Sequence, residues 1–184
     1  MNYLVTGLIC SGKSTFLEIA EKNNFDIIKA DDIVSELYDD KSIAIQLRKY
    51  CDVKLDNFKI KNEIREFFFK SKKNREIVES IFHPAVHKII ENEFKVSHNL
   101  MIELPPIINN YDLFQRNNCI YIEADKEIRA KRYLARNAKD ACYFEEINNI
   151  QKDFELIKSS CQIHIRNDSD IDALNKYFNE GMIK

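Results

Sequence analysis

Residues 2–16 read NYLVTGLICSGKSTF. The chain holds three glycines in 184 residues, yet two of them, Gly7 and Gly12, stand five apart with Lys13 and Ser14 after the second. The spacing is G-x-x-x-x-G-K-S. An apolar run (Tyr3–Val5) precedes it, and an amphipathic stretch (Ser14–Glu21) follows. Such a loop turns backbone N–H groups inward around a phosphate. Glycine permits the positive φ and the close backbone approach, and the N-terminus of the next helix adds partial positive charge. In this motif the lysine reaches the β- and γ-phosphates, and the hydroxyl after it ligates Mg²⁺. Lys13 and Ser14 occupy those places, and Gly7, Cys10, Ser11, Gly12 and Thr15 complete the candidate phosphate-binding positions. Four such fixed positions arise by chance in roughly one percent of chains this long. A plain turn joining a strand to a helix leaves Lys13 unexplained, because a cation at a helix start opposes the dipole unless an anion is present.

The composition, 45% hydrophobic and 32% charged with a net charge of −2, describes a globular domain with no basic excess for a nucleic-acid surface. Its length suffices for one sizeable core. No apolar run approaches a membrane span, and Met1 leads straight into the first apolar run with no leader pattern, so a cytoplasmic protein is expected. Five cysteines (Cys10, Cys51, Cys119, Cys142 and Cys161) form no C-x-x-C pair and are expected as free thiols. Cys10 lies near a helix start that could lower its pKa; a small residue that simply fits is the plainer reading.

Apolar runs of strand length recur at Tyr3–Thr6, Phe25–Lys29, Leu100–Leu104, Cys119–Glu123 and Gln162–Arg166. Segments of helical period separate them: Ser14–Lys22, Asp32–Tyr38, Lys126–Arg136, Phe144–Ile157 and Ile171–Gly181. This alternation predicts an α/β fold with a parallel five-stranded sheet covered on both faces. The connection from about residue 41 to 97 is too long for a simple crossover and reads as a helical insert, its last helix interrupted at His83-Pro84. The Phe67-Phe68-Phe69 triplet is expected in the core of that insert.

Two further groups carry chemistry. Arg129, Arg132 and Arg136 recur at i, i+3 and i+7, on one face of a helix. Next to a phosphate loop, such arginines suit phosphoryl transfer, and Arg132 and Arg136 are the catalytic candidates. The helical region from 126 to 158 suggests a lid. Asp31 and Asp32 stand where the second strand ends and a helix begins. One of them can cap the helix, Asp32 by position, leaving Asp31 to reach an acceptor hydroxyl. The four histidines have no metal-ligand spacing, and Pro84 stands between His83 and His87.

Taken in order, these segments resemble the dephospho-CoA kinase family. TGLICSGKST resembles its phosphate loop, IIKADDIVSELY its aspartate segment, VESIFHPAVHKII its Leu-Glu…His-Pro segment and IELPPII its strand ending in Pro-Leu-Leu. YIEADKEIRAKRYLARN resembles its lid arginines, and INNIQ and IHIRNDSD its closing Gln and Asn-Gly/Ser segments. The resemblance implies a three-layer P-loop kinase core, a helical substrate-binding insert and a helical lid. It also implies transfer of the γ-phosphoryl group of ATP, with Mg²⁺, to the 3′-hydroxyl of dephospho-CoA. Asp31 then matches the candidate base, Arg132 and Arg136 the lid arginines, and Lys61 and His83 belong to acceptor binding. The chain departs from the pattern at Leu8 and Cys10, where glycine is common, and at Lys29, Lys61 and Asn109, where the family carries Asp, Arg and Glu. Another small-molecule P-loop kinase (of nucleosides, nucleotides or shikimate) and a nucleotide-binding switch are the alternatives. No nucleic-acid or membrane partner is expected.

Overall fold

The computed structural model describes residues 1–51, 60–105, 111–136, 143–151, 155–168, 171–181 and 183. Asn109, the expected turn at 137–141, Cys142 and the middle of the expected helix 144–157 lie outside them.

Five strands form one parallel sheet in the order β2-β3-β1-β4-β5: β1 Tyr3–Thr6, β2 Asp26–Lys29, β3 Leu100–Glu103, β4 Cys119–Glu123 and β5 Ile163–Arg166. The strands are short and apolar because both faces are buried. Tyr3, Val5, Met101, Ile120, Ile122 and Ile165 point to one side, where α1 (Lys13–Lys22) and α10 (Ile171–Asn179) supply Phe16, Leu17, Ala20 and Leu174. The alternate residues Leu4, Leu100, Ile102, Cys119 and Tyr121 point the other way and are equally buried. β1 sits at the centre of the sheet, so the loop leaving it opens between β3 and β4.

The chain divides into two compact units, residues 1–29 with 96–184, and residues 30–95. The first holds the sheet with α1, α6 (Tyr111–Arg116), α7 (Lys126–Arg136), α8 (Tyr143–Gln151), α9 (Glu155–Lys158) and α10. The second holds α2 (Ala30–Leu37), α3 (Lys41–Cys51), α4 (Ile60–Lys70) and α5 (Lys72–Val96).

The structure departs from the sequence pattern at three places. First, α5 is not interrupted at His83-Pro84 but runs 25 residues with Pro84 inside it. A proline in a helix interior costs about 3 kcal/mol. Val78, Ile81 and Phe82 before it, and Val86 and Ile90 after it, are all buried. At about 1.5–3 kcal/mol for each such side chain, their burial outweighs the break. Second, the Phe triplet is not core: Phe67 and Phe68 are half-buried and Phe69 is exposed. The buried positions of α4 are Ile60 and Ile64, which leaves the triplet partly off its inward face. Third, the cysteines are not all free. Cys119 and Cys161 form a disulfide with Cα atoms 4.5 Å apart, whereas Cys10 and Cys51 are free. The cause is tertiary, since β4 and β5 pair with Ile120 opposite Ile163 and bring together residues 42 apart in sequence. Among the described residues no helix is long and apolar enough to cross a membrane.

Candidate active site

The loop from Gly7 to Gly12 connects β1 to α1, and both glycines are required by space as well as by φ. Gly7 has φ 149°, and a β-carbon there would lie 2.1 Å from the carbonyl oxygen of Ile122. Gly12 has φ 105°, and a β-carbon there would lie 1.9 Å from Asn167 Nδ2. We therefore expect Gly12→Ala to displace Asn167, to lower stability by about 1–3 kcal/mol and to abolish measurable ATP affinity. Thermal melting and calorimetric ATP titration check this, and a variant that binds ATP normally refutes it. Cys10 is also left-handed, at φ 58°, although it has a β-carbon. That conformation costs a non-glycine residue about 1 kcal/mol.

α1 begins without a side-chain cap and without an acidic residue in its first turn, so its N-terminus is open to an anion. Lys13 Nζ donates to the carbonyls of Gly7 (3.0 Å) and Leu8 (3.3 Å) and lies 3.9 Å from Glu103 Oε1. Ser14 and Thr15 follow, half-buried, in the first turn of α1. A hydroxyl and a carboxylate are hard oxygen donors of the kind Mg²⁺ takes while keeping several of its waters. Ser14 and Glu103 fit that need. Glu103 was missed in the sequence; the available signal was an acid ending a strand that lies directly beside β1.

Four cations, Arg136, Lys13, Arg129 and Arg132, pull the Cys10 thiol pKa down, yet burial dominates and pushes it up. The helix start therefore does not lower the Cys10 pKa, which leaves the plainer reading of a small residue that fits the loop. The three arginines share one face of α7 but differ in setting. Arg129 is buried and donates to Ala124 O (3.0 Å), Asn148 Oδ1 (2.9 Å) and Ile9 O (3.4 Å). Arg132 donates to Ser11 O (3.4 Å) and Asn167 O (3.0 Å). Arg136 is exposed in the last turn. Asn167 Nδ2 also donates to Ser11 O at 2.8 Å. Its segment is tied down beyond β5, where Asp168 Oδ1 accepts the Asp125 N–H (2.7 Å) and Arg166 bonds both Asp125 and Asp168. The backbone N–H of Asp125 holds the Asp168 carboxyl below its usual range. The carbonyls of Gly7, Leu8, Ile9 and Ser11 are thus all engaged by side-chain donors. A loop in that state turns N–H groups, not oxygens, toward an anion.

The remaining candidates lie in the helical unit. Asp31 and Asp32 are both exposed in the first turn of α2, which starts at Ala30 directly after β2. Asp32 is therefore not the cap residue; both acids favour the positive end of the helix from within it. Ser35 follows Asp31 at i+4, on its face, and Tyr38 stands in the turn directly after α2. Lys61 Nζ donates to Ser35 Oγ at 2.5 Å and lies 5.5 Å over the Tyr38 ring, so a cation from α4 is held on the Asp31 face. On α5, Glu79, His83 and His87 stand one turn apart. His83 and His87 stack with ring centroids 6.1 Å apart, so Pro84 does not separate them as expected. His83 Nδ1 is buried with no hydrogen-bond partner among the described residues. Burial, then the His87 charge, lowers its pKa from 6.5 to about 4. Burial likewise raises the Glu79 carboxyl.

His83 makes the stability of the fold depend on pH. Between pH 6.5 and about 4 the unfolded chain binds a proton at this position that the folded chain refuses. Stability therefore falls as pH is lowered through that window and levels off below it. His83→Gln should flatten this part of a urea-midpoint profile against pH, and an unchanged slope would refute the assignment. Among the described residues no group of three or more His, Cys, Asp or Glu could hold a metal ion.

A sequence profile of the dephospho-CoA kinase family matches residues 3–173. The chain belongs to that family. It is 26% identical over 145 residues to the dephospho-CoA kinase of Campylobacter jejuni, covering 73% of this chain and 72% of that one. It is 30% identical over 139 residues to the dephospho-CoA kinase of Legionella pneumophila strain Lens, covering 72% and 69%. Among solved structures, a Thermus thermophilus protein superposes with TM-score 0.80 at 16% identity, covering 99% of this chain and 96% of that one. The dephospho-CoA kinase of Campylobacter jejuni superposes with TM-score 0.65 at 22% identity, covering 99% and 98%. These structural likenesses speak for the fold, a P-loop kinase core. Membership in the dephospho-CoA kinase family makes the chain an ATP-using phosphotransferase acting on a small molecule, and does not favour the nucleoside, nucleotide or shikimate alternative.

Proposed function

We infer that this chain transfers the γ-phosphoryl group of ATP to the ribose 3′-hydroxyl of dephospho-CoA, giving coenzyme A and ADP. The observation that carries the reading is the phosphate loop itself. Its carbonyls are held back by Lys13, Arg129, Arg132 and Asn167 within a family of dephospho-CoA kinases.

Phosphoryl transfer asks a protein for position and charge more than for covalent chemistry. The N–H groups of the loop and the start of α1 hold the ATP phosphates, and Lys13 moves its charge from the carbonyls of Gly7 and Leu8 to the β- and γ-oxygens. The Ser14 hydroxyl and the Glu103 carboxylate would hold Mg²⁺, directly or through water, and the ion would supply charge neutralisation at those oxygens. Arg132 and Arg136, on the lid formed by α7 and α8, stabilise the charge that develops on the transferring group. In the helical unit, the acceptor binds through Lys61 and His83. Asp31 accepts the 3′-hydroxyl proton as its oxygen bonds to phosphorus and the bond to the ADP oxygen breaks. A cytoplasmic setting suits the reaction and the expectation from sequence.

ADP release measured over a panel of acceptors tests this. We expect turnover with dephospho-CoA and none with shikimate or nucleosides. Turnover with one of those and not with dephospho-CoA would overturn the substrate assignment. ATP binding without consumption in any mixture would identify a nucleotide-binding switch instead.

A further inference from the structure

We propose that Gln151, together with the Arg129–Asn148 pair, is a positioning brace for the apex of the phosphate loop. It keeps Cys10 in its left-handed conformation and aims the Cys10 N–H at the bound phosphate. The inference rests on the reading of residues 7–15 as the ATP phosphate site.

Two consecutive peptide planes form the apex of the loop. In the first, the Ile9 N–H donates to Gln151 Oε1 at 2.7 Å, at the short end of the range for such bonds. Leu8 O, at the other end of that plane, accepts from Lys13 Nζ (3.3 Å) and from the Ser11 N–H (3.1 Å). The plane is held at both ends, in opposite directions. In the second, Ile9 O accepts from Arg129 Nη1 at 3.4 Å. The bond is trans, so the Cys10 N–H points away from that oxygen and hence away from Arg129. Arg129 cannot swing freely, because it is buried and fixed by Asn148 Oδ1 and Ala124 O.

Asn148 and Gln151 are three apart on α8, on one face of that helix. One helix thus governs both planes at the point where φ reaches 58° without a glycine. The side-chain type matters too. An amide accepts a hydrogen bond without placing negative charge next to the phosphates, which a carboxylate would do. The residues involved are 142 and 120 positions apart from Ile9, so the brace depends on the fold and not on the local motif.

The test uses Gln151→Met, which keeps length and helix propensity but removes the acceptor, in the natural chain and in the Cys10→Gly background. Mg-ATP affinity is measured by calorimetry, and folding by thermal melting. In the natural chain we expect affinity to fall about fivefold, the worth of one hydrogen bond, with the melting temperature unchanged. In the Cys10→Gly background the same substitution should cost less than about twofold, because glycine needs no brace at that φ. Unchanged affinity would overturn the proposal. So would an equal loss in both backgrounds, or a loss that merely tracks a lower melting temperature. Failure of the unsubstituted chain to bind Mg-ATP would overturn the phosphate-loop reading, and the inference with it.

Discussion

Lys13→Ala yields a folded chain that turns over about 10²–10³-fold more slowly. The expectation follows from the setting of the side chain, which is 13% exposed and bonded to two carbonyls of its own loop, with Glu103 3.9 Å away. A charge held this way is paid for before ATP arrives, and transfer to the phosphate oxygens needs only a small movement. Removing one such preorganised donor from a developing charge costs about 3–4 kcal/mol at the barrier. The same substitution also removes the Lys13 bond to Gly7 O and one of the two donors to Leu8 O, so ATP affinity drops as well, by a smaller factor. Turnover numbers measured beside calorimetric affinities separate the two. Activity within a few-fold of the natural chain would show that residues 7–14 are not the phosphate loop of the reaction.

Asp31→Asn is the other large effect. A ribose hydroxyl is a poor nucleophile at neutral pH, and a carboxylate in reach of it contributes about 10²–10⁴-fold by taking its proton. Asparagine keeps the size and can still orient the hydroxyl but cannot accept the proton. We therefore expect kcat to fall by about that factor while ATP affinity holds. Asp32→Asn is the control. Asp32 is exposed within the first turn of α2 and not at its cap, so its loss removes only a dipole interaction of about 0.3–1 kcal/mol in stability. If the two variants reverse in order, Asp32 is the base. If neither slows the reaction, proton transfer to a carboxylate is not part of the mechanism.

Local pattern carried far in this chain. Strand length and apolar content located all five strands to within a residue at either end, because a sheet buried on both faces accepts little else. The G-x-x-x-x-G-K-S spacing marked the phosphate loop, because both glycines answer to geometry that no other residue meets. The pattern failed where a neighbour overrode it. Pro84 looked like a helix end, and the buried residues on both sides of it carried α5 through. Asp32 looked like a cap, and α2 began two residues earlier. The spacing of the three arginines did not show that Arg129 is the buried one, bonded to Ala124 O, Ile9 O and Asn148 Oδ1.

By itself, the sequence determined the alternation of strands and helices, the phosphate loop and the ordered motifs of a dephospho-CoA kinase, all of which depend on residues close together in the chain. Only the tertiary structure decided the order β2-β3-β1-β4-β5, the meeting of Cys119 with Cys161, the place of Glu103 beside Lys13, and the Asn167 amide and the arginines that hold the loop carbonyls. Those contacts join residues far apart in sequence, and an asparagine or glutamine on a helix face looks the same whether it meets water or a buried peptide group. The crossovers choose which strand ends lie side by side, and that choice turns ordinary polar residues into parts of the site.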